Sequence, residues 1–374
     1  MALDALLDTE ELRDSARRVL AEQIDRQALL AHAREAAPPD RALWKLMAEL
    51  GWLGLAVPEE RGGLGQPLAV VAVLYDELGR ALSREPFVGA VVGLEALCHP
   101  AVSGSAAAVV EAGVAGEAVV VPALDPGGLL VCRTEGATRV VDGVLRNVLD
   151  APHATHLVLP VAGEAPFIAL VALPHPGVVV THRPTWDLSR DIADIEFRGL
   201  ALTDAEIVLR DEAAVQALAR MQTHFDLALA CDALGGASAA FEETLAYMHQ
   251  RQQFNRPIAS FQALKHRCAD HKVGIEASRA LLRAACHTAD ADPATSLEKA
   301  ARARLHAGAV YRTLTEDCVQ LHGGVGFTWE YPCHLFLKRA RLGEVLGGTT
   351  EQRKDRVAPV LFRASRAMRG PVNV

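Results

Sequence analysis

Two pairs of residues have spacings that could bind a metal. Cys318 and His322 stand at i and i+4, on one face of a helix, and Cys333 directly precedes His334. No CxxC pair and no further zinc-type spacing accompanies them, and seven scattered cysteines form no disulfide framework. They read as free, buried thiols, with no metal. Carboxylates able to take a proton are Asp226, inside a long apolar-periodic stretch, and Glu344 and Glu351 near the end of the chain. Glu344 and Glu351 read as surface charges, Glu351 in the first turn of a helix where negative charge is favoured. Between them lies "LGGTT", whose Gly347 and Gly348 separate a basic helical stretch from two threonines.

The elements that must position these residues fall into three regions. Residues 1–115 read as helical. Asp8 with Glu11 forms a capping box, Asp40 caps "RALWKLMAEL", Gly51 stops it, and Pro67 begins "PLAVVAVLYDELGRAL". Residues 116–210 carry short β-branched runs, from "EAVVVPAL" through "GLLVCRTE", "TRVVDGVLRNV", "THLVLPV" and "FIALVALP" to "GVVVTHRP". They are separated by Gly, Pro and Asp turns, which suggests an antiparallel barrel or sandwich. Residues 211–374 return to long helices, with Gly235 and Gly236 permitting close packing. The expected class is α+β: an N-terminal helical domain, a middle β domain and a C-terminal four-helix bundle.

A length of 374 residues, half of them hydrophobic, suits two or three globular domains. The net charge of −8 disfavours nucleic acid as a partner. No apolar run approaches the roughly 18 residues of a membrane span, and the first residues carry no secretory pattern, so a cytoplasmic location is expected.

Three stretches carry a resemblance: "GWLGLAVPEERGGLG" followed by "DELGRAL", "RQQFNRPIASFQALKHRCAD", and "CVQLHGGVGFTWEYPCHLFLKRAR". Together, and in this order, they resemble the acyl-CoA dehydrogenase family over essentially the whole chain. The third is especially similar to bacterial members that handle bulky acyl-CoAs such as steroid side chains. The resemblance implies FAD, with its ring between the β domain and the C-terminal helices. It also implies a carboxylate that removes the α-proton of an acyl-CoA while hydride leaves the β-carbon for flavin N5. The electrons then pass to an electron-transfer flavoprotein.

Residue by residue, Arg251 matches the arginine that reaches across a subunit interface to the FAD pyrophosphate, a task suited to a guanidinium fork. Phe254 and Gln262 match supports of the adenosine half, or else ordinary packing at a helix junction. Gln320, Gly323 and Gly324 match the Gln-x-x-Gly-Gly segment at the ADP half, and Thr349, in the Gly-Thr that follows the family's base, is expected by the same resemblance to bind the cofactor. A glycine helix stop accounts for Gly323 and Gly324 alone.

Other positions depart from the pattern. Asp125, Pro126 and Gly127 stand where the family has Glu-Pro-Gly, in a shortened loop with no serine following. Asn147, Val148 and Leu149 replace the Trp-x-Thr that packs on the flavin ring. Gly347 replaces the catalytic glutamate. An alternative base position used by some members falls at Phe225, beside Asp226.

The pattern of retention and loss implies a non-catalytic, FAD-clamping subunit that works with a second acyl-CoA dehydrogenase subunit. Three alternatives remain open at the level of sequence. One is a self-sufficient enzyme with Asp226 as base. Another is a flavin-free scaffold, and the last is a monooxygenase or oxidase on the same fold.

Overall fold

The computed structural model describes residues 9–25, 29, 40–102 and 104–369; the Asp8 cap lies outside them. Among the described residues five helices come first: α1 (Thr9–Gln23), α2 (Arg41–Glu49), α3 (Leu68–Ala81), α4 (Phe87–Leu97) and α5 (Ser105–Val114). Asp40 caps α2 as its spacing predicts, its carboxylate accepting from the Ala42 amide at 2.8 Å. Gly51 ends that helix in the left-handed region, at φ +74°. Helix α3 buries two consecutive carboxylates, Asp76 and Glu77, and α1 answers them with Arg13 and Arg17.

Eight strands follow, in two sheets of four. Their orders are β1 (Val120–Pro122), β4 (His156–Val161), β5 (Phe167–Ala172), β8 (Ile207–Arg210), and β2 (Leu129–Glu135), β3 (Thr138–Leu149), β7 (Ile192–Leu202), β6 (Val178–Arg183). The inward faces share a core of their own, with Val141, Ile195 and Phe197 from one sheet meeting Leu157, Leu159 and Phe167 from the other. Every ladder is antiparallel except β1–β4. The chain leaves β1, builds the β2–β3 hairpin in the other sheet, and returns beside β1 in the same direction. A connection of that length is what a parallel pair requires.

From Asp211 the chain is helical again: α6 (Asp211–Gln250), α7 (Gln262–Ala291), α8 (Pro293–His322), α9 (Cys333–Gly343) and α10 (Thr350–Arg369). A small hairpin, β9 (Gln252–Gln253) and β10 (Arg256–Pro257), projects between α6 and α7. Helix α6 is 40 residues long and buried on every side from Thr223 to Phe241, so it serves as the central post of the molecule. Glycine allows its closest neighbours to approach. A Cβ on Gly235 would lie 1.8 Å from the Asp76 carbonyl oxygen of α3, and one on Gly236 would lie 2.4 Å from the Tyr311 hydroxyl of α8.

Two buried polar clusters tie these regions together. Arg339 of α9 grips Asp232 of α6 with both ends of its fork and donates to the Ser83 and Ser189 carbonyls. One side chain thereby joins the N-terminal helices, the β region and the bundle. In the other cluster, Glu95 of α4 pairs with His224 and Arg220 of α6 at 2.5 and 2.7 Å, while Tyr75 Oη lies 2.8 Å from the far nitrogen of His224. Burial alone would raise the proton affinity of Glu95, but these partners outweigh it and draw the pKa from 4.5 to about 2. A depressed carboxylate stabilises the fold above its unfolded pKa, and that contribution is lost as pH falls through the folded one. Between pH 4.5 and about 2 the chain is therefore expected to lose about 3 kcal/mol through this residue. Urea titrations of wild type and Glu95→Gln across that window check it, since the variant's stability should vary less steeply with pH.

Candidate functional site

The two positions at which the sequence looks for a base meet in space, and they fill each other. Gly347 sits at φ +59° in the turn between α9 and α10, and a Cβ on it would lie 2.5 Å from the Phe225 ring of α6. Phe225 is itself 5 % exposed. The ring occupies the volume into which a side chain at 347 would project.

The turn is held from below by arginines. Arg304 of α8 donates to the carbonyls of Gly343 and Leu346, and Arg353 of α10 donates to those of Glu344, Leu346 and Gly348. These carbonyls lie in and just beyond the last turn of α9, where positive charge is favoured. Asp226 is the carboxylate in this cluster. It is 2 % exposed, with one oxygen 2.9 Å from Arg304 and the other 3.0 Å from Arg356. Burial, and then the adjacent Arg353, push the Arg304 guanidinium down to about 9, which leaves it protonated at neutral pH. Neither Arg304, Arg353 nor Arg356 is visible as a site from sequence spacing, because their partners lie 70 or more residues away or are backbone carbonyls.

Thr349 and Gln352 form a reciprocal cap on α10. The Thr349 amide donates to Gln352 Oε1 at 2.7 Å and the Gln352 amide to Thr349 Oγ1 at 3.2 Å. Glu351 pairs with Lys354, and Glu344 lies near Arg341 and Arg312 at the surface. Beside this turn, the β-region loop spends its own polar groups internally. Asp125 accepts from the Gly127 and Arg146 amides at 3.0 and 2.8 Å, and Pro126 lies 3.3 Å from where a Cβ on Gly348 would stand. Asn147 turns at φ +54° with its amide on Asp194, and Val148 and Leu149 point into the core. These residues offer no aromatic platform and no hydroxyl, so they do not fit the ring of a flavin.

The other end of the bundle is different. Tyr247, one turn before Arg251, stacks on His322 with ring centroids 4.4 Å apart, and its hydroxyl donates to the His322 carbonyl. That contact brings the end of α6 to the end of α8, where Gly323 and Gly324 follow. Gly323 has φ +66° and ψ −144°, a conformation suited to glycine, and a Cβ on either glycine would meet nothing within 4 Å. Arg251, Gln262 and Gln320 are all exposed. Phe254 and Asn255, both at positive φ, form the tip of the β9–β10 hairpin, and Phe254 is 86 % exposed with Phe261 edge-on at 6.2 Å. Apart from that one edge contact, this aromatic in a left-handed conformation is left open to solvent. A guanidinium, two glycines with open space beside their backbone and an aromatic on one end of the molecule fit the phosphates and base of a nucleotide.

Cys318, His322 and Cys333 are occupied locally, while the His334 ring is buried with neither nitrogen hydrogen-bonded. Cys318 Sγ donates to the Ala240 carbonyl, Cys333 Sγ to that of Gly326, and His322 Nδ1 lies 2.8 Å from the Cys318 carbonyl. Burial pushes both thiols up to about 12. Among the described residues no group of three or more His, Cys, Asp or Glu is placed to hold a metal, and no helix is long and apolar enough to cross a membrane.

Comparison with known proteins agrees with this architecture. The models of the acyl-CoA dehydrogenase N-terminal and C-terminal domains match residues 7–107 and 216–362. The acyl-CoA dehydrogenase IpdE2 of Mycobacterium tuberculosis is 33% identical over 335 residues, 88% of this chain and 91% of that protein. Its namesake from Mycolicibacterium smegmatis is 30% identical over 92% of this chain and 96% of its own. Among solved structures, a glycine-to-alanine variant of the Tcur3481–Tcur3483 steroid enzyme superposes with a TM-score of 0.86 at 26% identity, covering 96% of this chain and 98% of that one. The ChsE4–ChsE5 complex of Mycobacterium tuberculosis superposes at 0.85 with 24% identity and the same coverage.

Proposed function

This chain belongs to the acyl-CoA dehydrogenase family of oxidoreductases, and from that premise we propose that it is the FAD-clamping, non-catalytic subunit of a heteromeric member. The observation that carries the reading is the separation of two unlike half-sites. From Phe225 to Arg251 the axis of α6 runs about 39 Å. The open, nucleotide-shaped end of the chain therefore lies too far from its own base position to share one dinucleotide with it. Each half-site must be completed by another chain. One half keeps its chemistry in Arg251, Phe254, Gln262, Gln320, Gly323 and Gly324. The other has Phe225 where the base would be and no cover for a flavin ring.

A second acyl-CoA dehydrogenase subunit with an intact carboxylate would complete the first half, and the flavin held there would supply the hydride acceptor. The two superposed enzymes are each named as a pair of chains, which supports such a pairing. The substrate that follows is a bulky acyl-CoA such as one with a steroid side chain, with an electron-transfer flavoprotein as acceptor and the cytoplasm as location. Asp226 does not suit the role of base. It is 2 % exposed and each of its oxygens is held by a guanidinium, Arg304 on one and Arg356 on the other, so neither is turned toward a substrate.

Flavin absorbance tests the reading. The chain purified alone should hold little flavin. Co-expressed with a dehydrogenase subunit that completes the half-site, it should carry about one flavin per pair, and Arg251→Ala should lower that occupancy at least tenfold. One flavin per chain in the isolated protein would sink the proposal.

A further inference from the structure

A cavity of about 470 Å³ opens between α6, α8, α9 and the first turn of α10. Arg304 and Arg353 of the arginine cluster form part of its wall. Its volume suits a small ligand, and its chemistry is unusual for empty space. Arg190, Arg304, Arg339 and Arg353 line it, each less than a tenth exposed. Asp232 pairs with Arg190 and Arg339, and Asp187 adds negative charge near them. At the other end Asp226 faces Arg304, Arg353 and Arg356, while the lining carboxylates Glu344 and Glu351 are shared with Arg312, Arg341 and Lys354, so that end keeps a positive surplus. The turn carbonyls accept hydrogen bonds from these arginines but cannot neutralise them.

Among the described residues four donors in the lining are buried without a hydrogen-bond partner. Arg190 and Arg312 pair with carboxylates there, whereas Arg353 Nε and the Tyr311 hydroxyl, both on residues 2 % exposed, do not. Burial raises the Tyr311 pKa well above 10, so its hydroxyl keeps its proton and can donate. Buried donors without acceptors cost free energy unless something supplies them. Along α8, Tyr311 stands about 10 Å from Arg304, whose neighbour Arg353 shares the Leu346 carbonyl. Between these ends the wall is apolar, made by Leu229, Leu305 and Ala309.

We propose that this cavity binds a short aliphatic carboxylate, its head on Arg353 in the arginine-rich end and a second acceptor at the Tyr311 hydroxyl. Charge surplus, an orphaned guanidinium N–H and an apolar wall together select an organic anion over a bare one. The site is separate from the nucleotide end of the chain and does not depend on which subunit carries the base.

Thermal unfolding and calorimetric titration with adipate, hexanoate and inorganic phosphate at constant ionic strength test it. Adipate and hexanoate should stabilise the chain saturably, adipate more tightly, and phosphate should do so weakly. Tyr311→Phe, which removes one oxygen from a packed ring, should weaken adipate binding about fivefold and leave hexanoate unchanged. Ala309→Trp, an exposed position at the mouth, should abolish both while keeping the unliganded Tm. The site would be overturned by equal stabilisation from all three anions that ignores Ala309→Trp, or by no saturable effect from any of them.

Discussion

Placing glutamate at position 347 will destabilise this chain and will not turn it into a dehydrogenase. The substitution meets two obstacles. At φ +59° any side chain is strained, and the first carbon of this one would lie 2.5 Å from the Phe225 ring. Left-handed strain and overpacking together predict a loss of about 2–4 kcal/mol, readable as a lowered urea midpoint. Phe225→Ala alone should also destabilise, by about 3–5 kcal/mol, through the cavity it leaves. The double variant should be more stable than the sum of the two losses by at least about 1 kcal/mol, because the new side chain enters the space the ring vacates. Even then flavin should not bind near residue 347 in the isolated chain, since Asn147, Val148 and Leu149 still offer the ring no cover. A Gly347→Glu protein that keeps wild-type stability and desaturates an acyl-CoA unaided would refute the steric account and the proposed role of the chain together.

That steric account shows where reading the sequence succeeds and where it stops. Local devices are legible. Asp40 is a cap because an acidic residue precedes an amphipathic run, and Gly51 stops the helix because only glycine adopts its φ cheaply. The length of α6 follows from unbroken periodicity, although the helix ends at Gln250 and the next residues form a hairpin that placed Phe254 outside any packing reading. Strands β7 and β8 give weak signals, since "IADIEFRGLAL" alternates around charged residues and a glycine and "IVLR" is only four residues long. The parallel β1–β4 pair depends on which sheet each strand joins, and local composition does not encode that. Thr349 illustrates a local signal overlooked. With Gln352 three residues on it has the spacing of a reciprocal cap, which engages the hydroxyl that the family resemblance had assigned to a cofactor. The candidate site had a harder limit. That Gly347 lacks a base is plain from one letter, but the reason the space is closed lies in the ring of Phe225, on a different helix far earlier in the chain.

The same limit governs Asp226, where the second large effect is expected. Seen in sequence, it is a carboxylate beside a position that can carry a base. Seen in space, it is the anion on which Arg304 and Arg356 converge, with Arg353 a neighbour. Removing one member of a buried charge cluster strands the others, so Asp226→Asn, which keeps the shape and loses the charge, should cost about 3–5 kcal/mol. The turn at 343–348 should loosen with it, because Arg304 would repel Arg353 without a shared counter-ion while both still clamp that turn. Hydrogen exchange should then show faster opening of the amides from 344 to 353 before the rest of the bundle. Replacing the pair together, as Asp226→Leu with Arg304→Met, should recover much of the loss, since apolar packing avoids the desolvation that buried ions incur. A catalytic base predicts the opposite pattern: Asp226→Asn would fold as well as wild type, protect its turn equally, and fail only in turnover. Stability and exchange measured on the two variants separate these outcomes without an assay for the reaction.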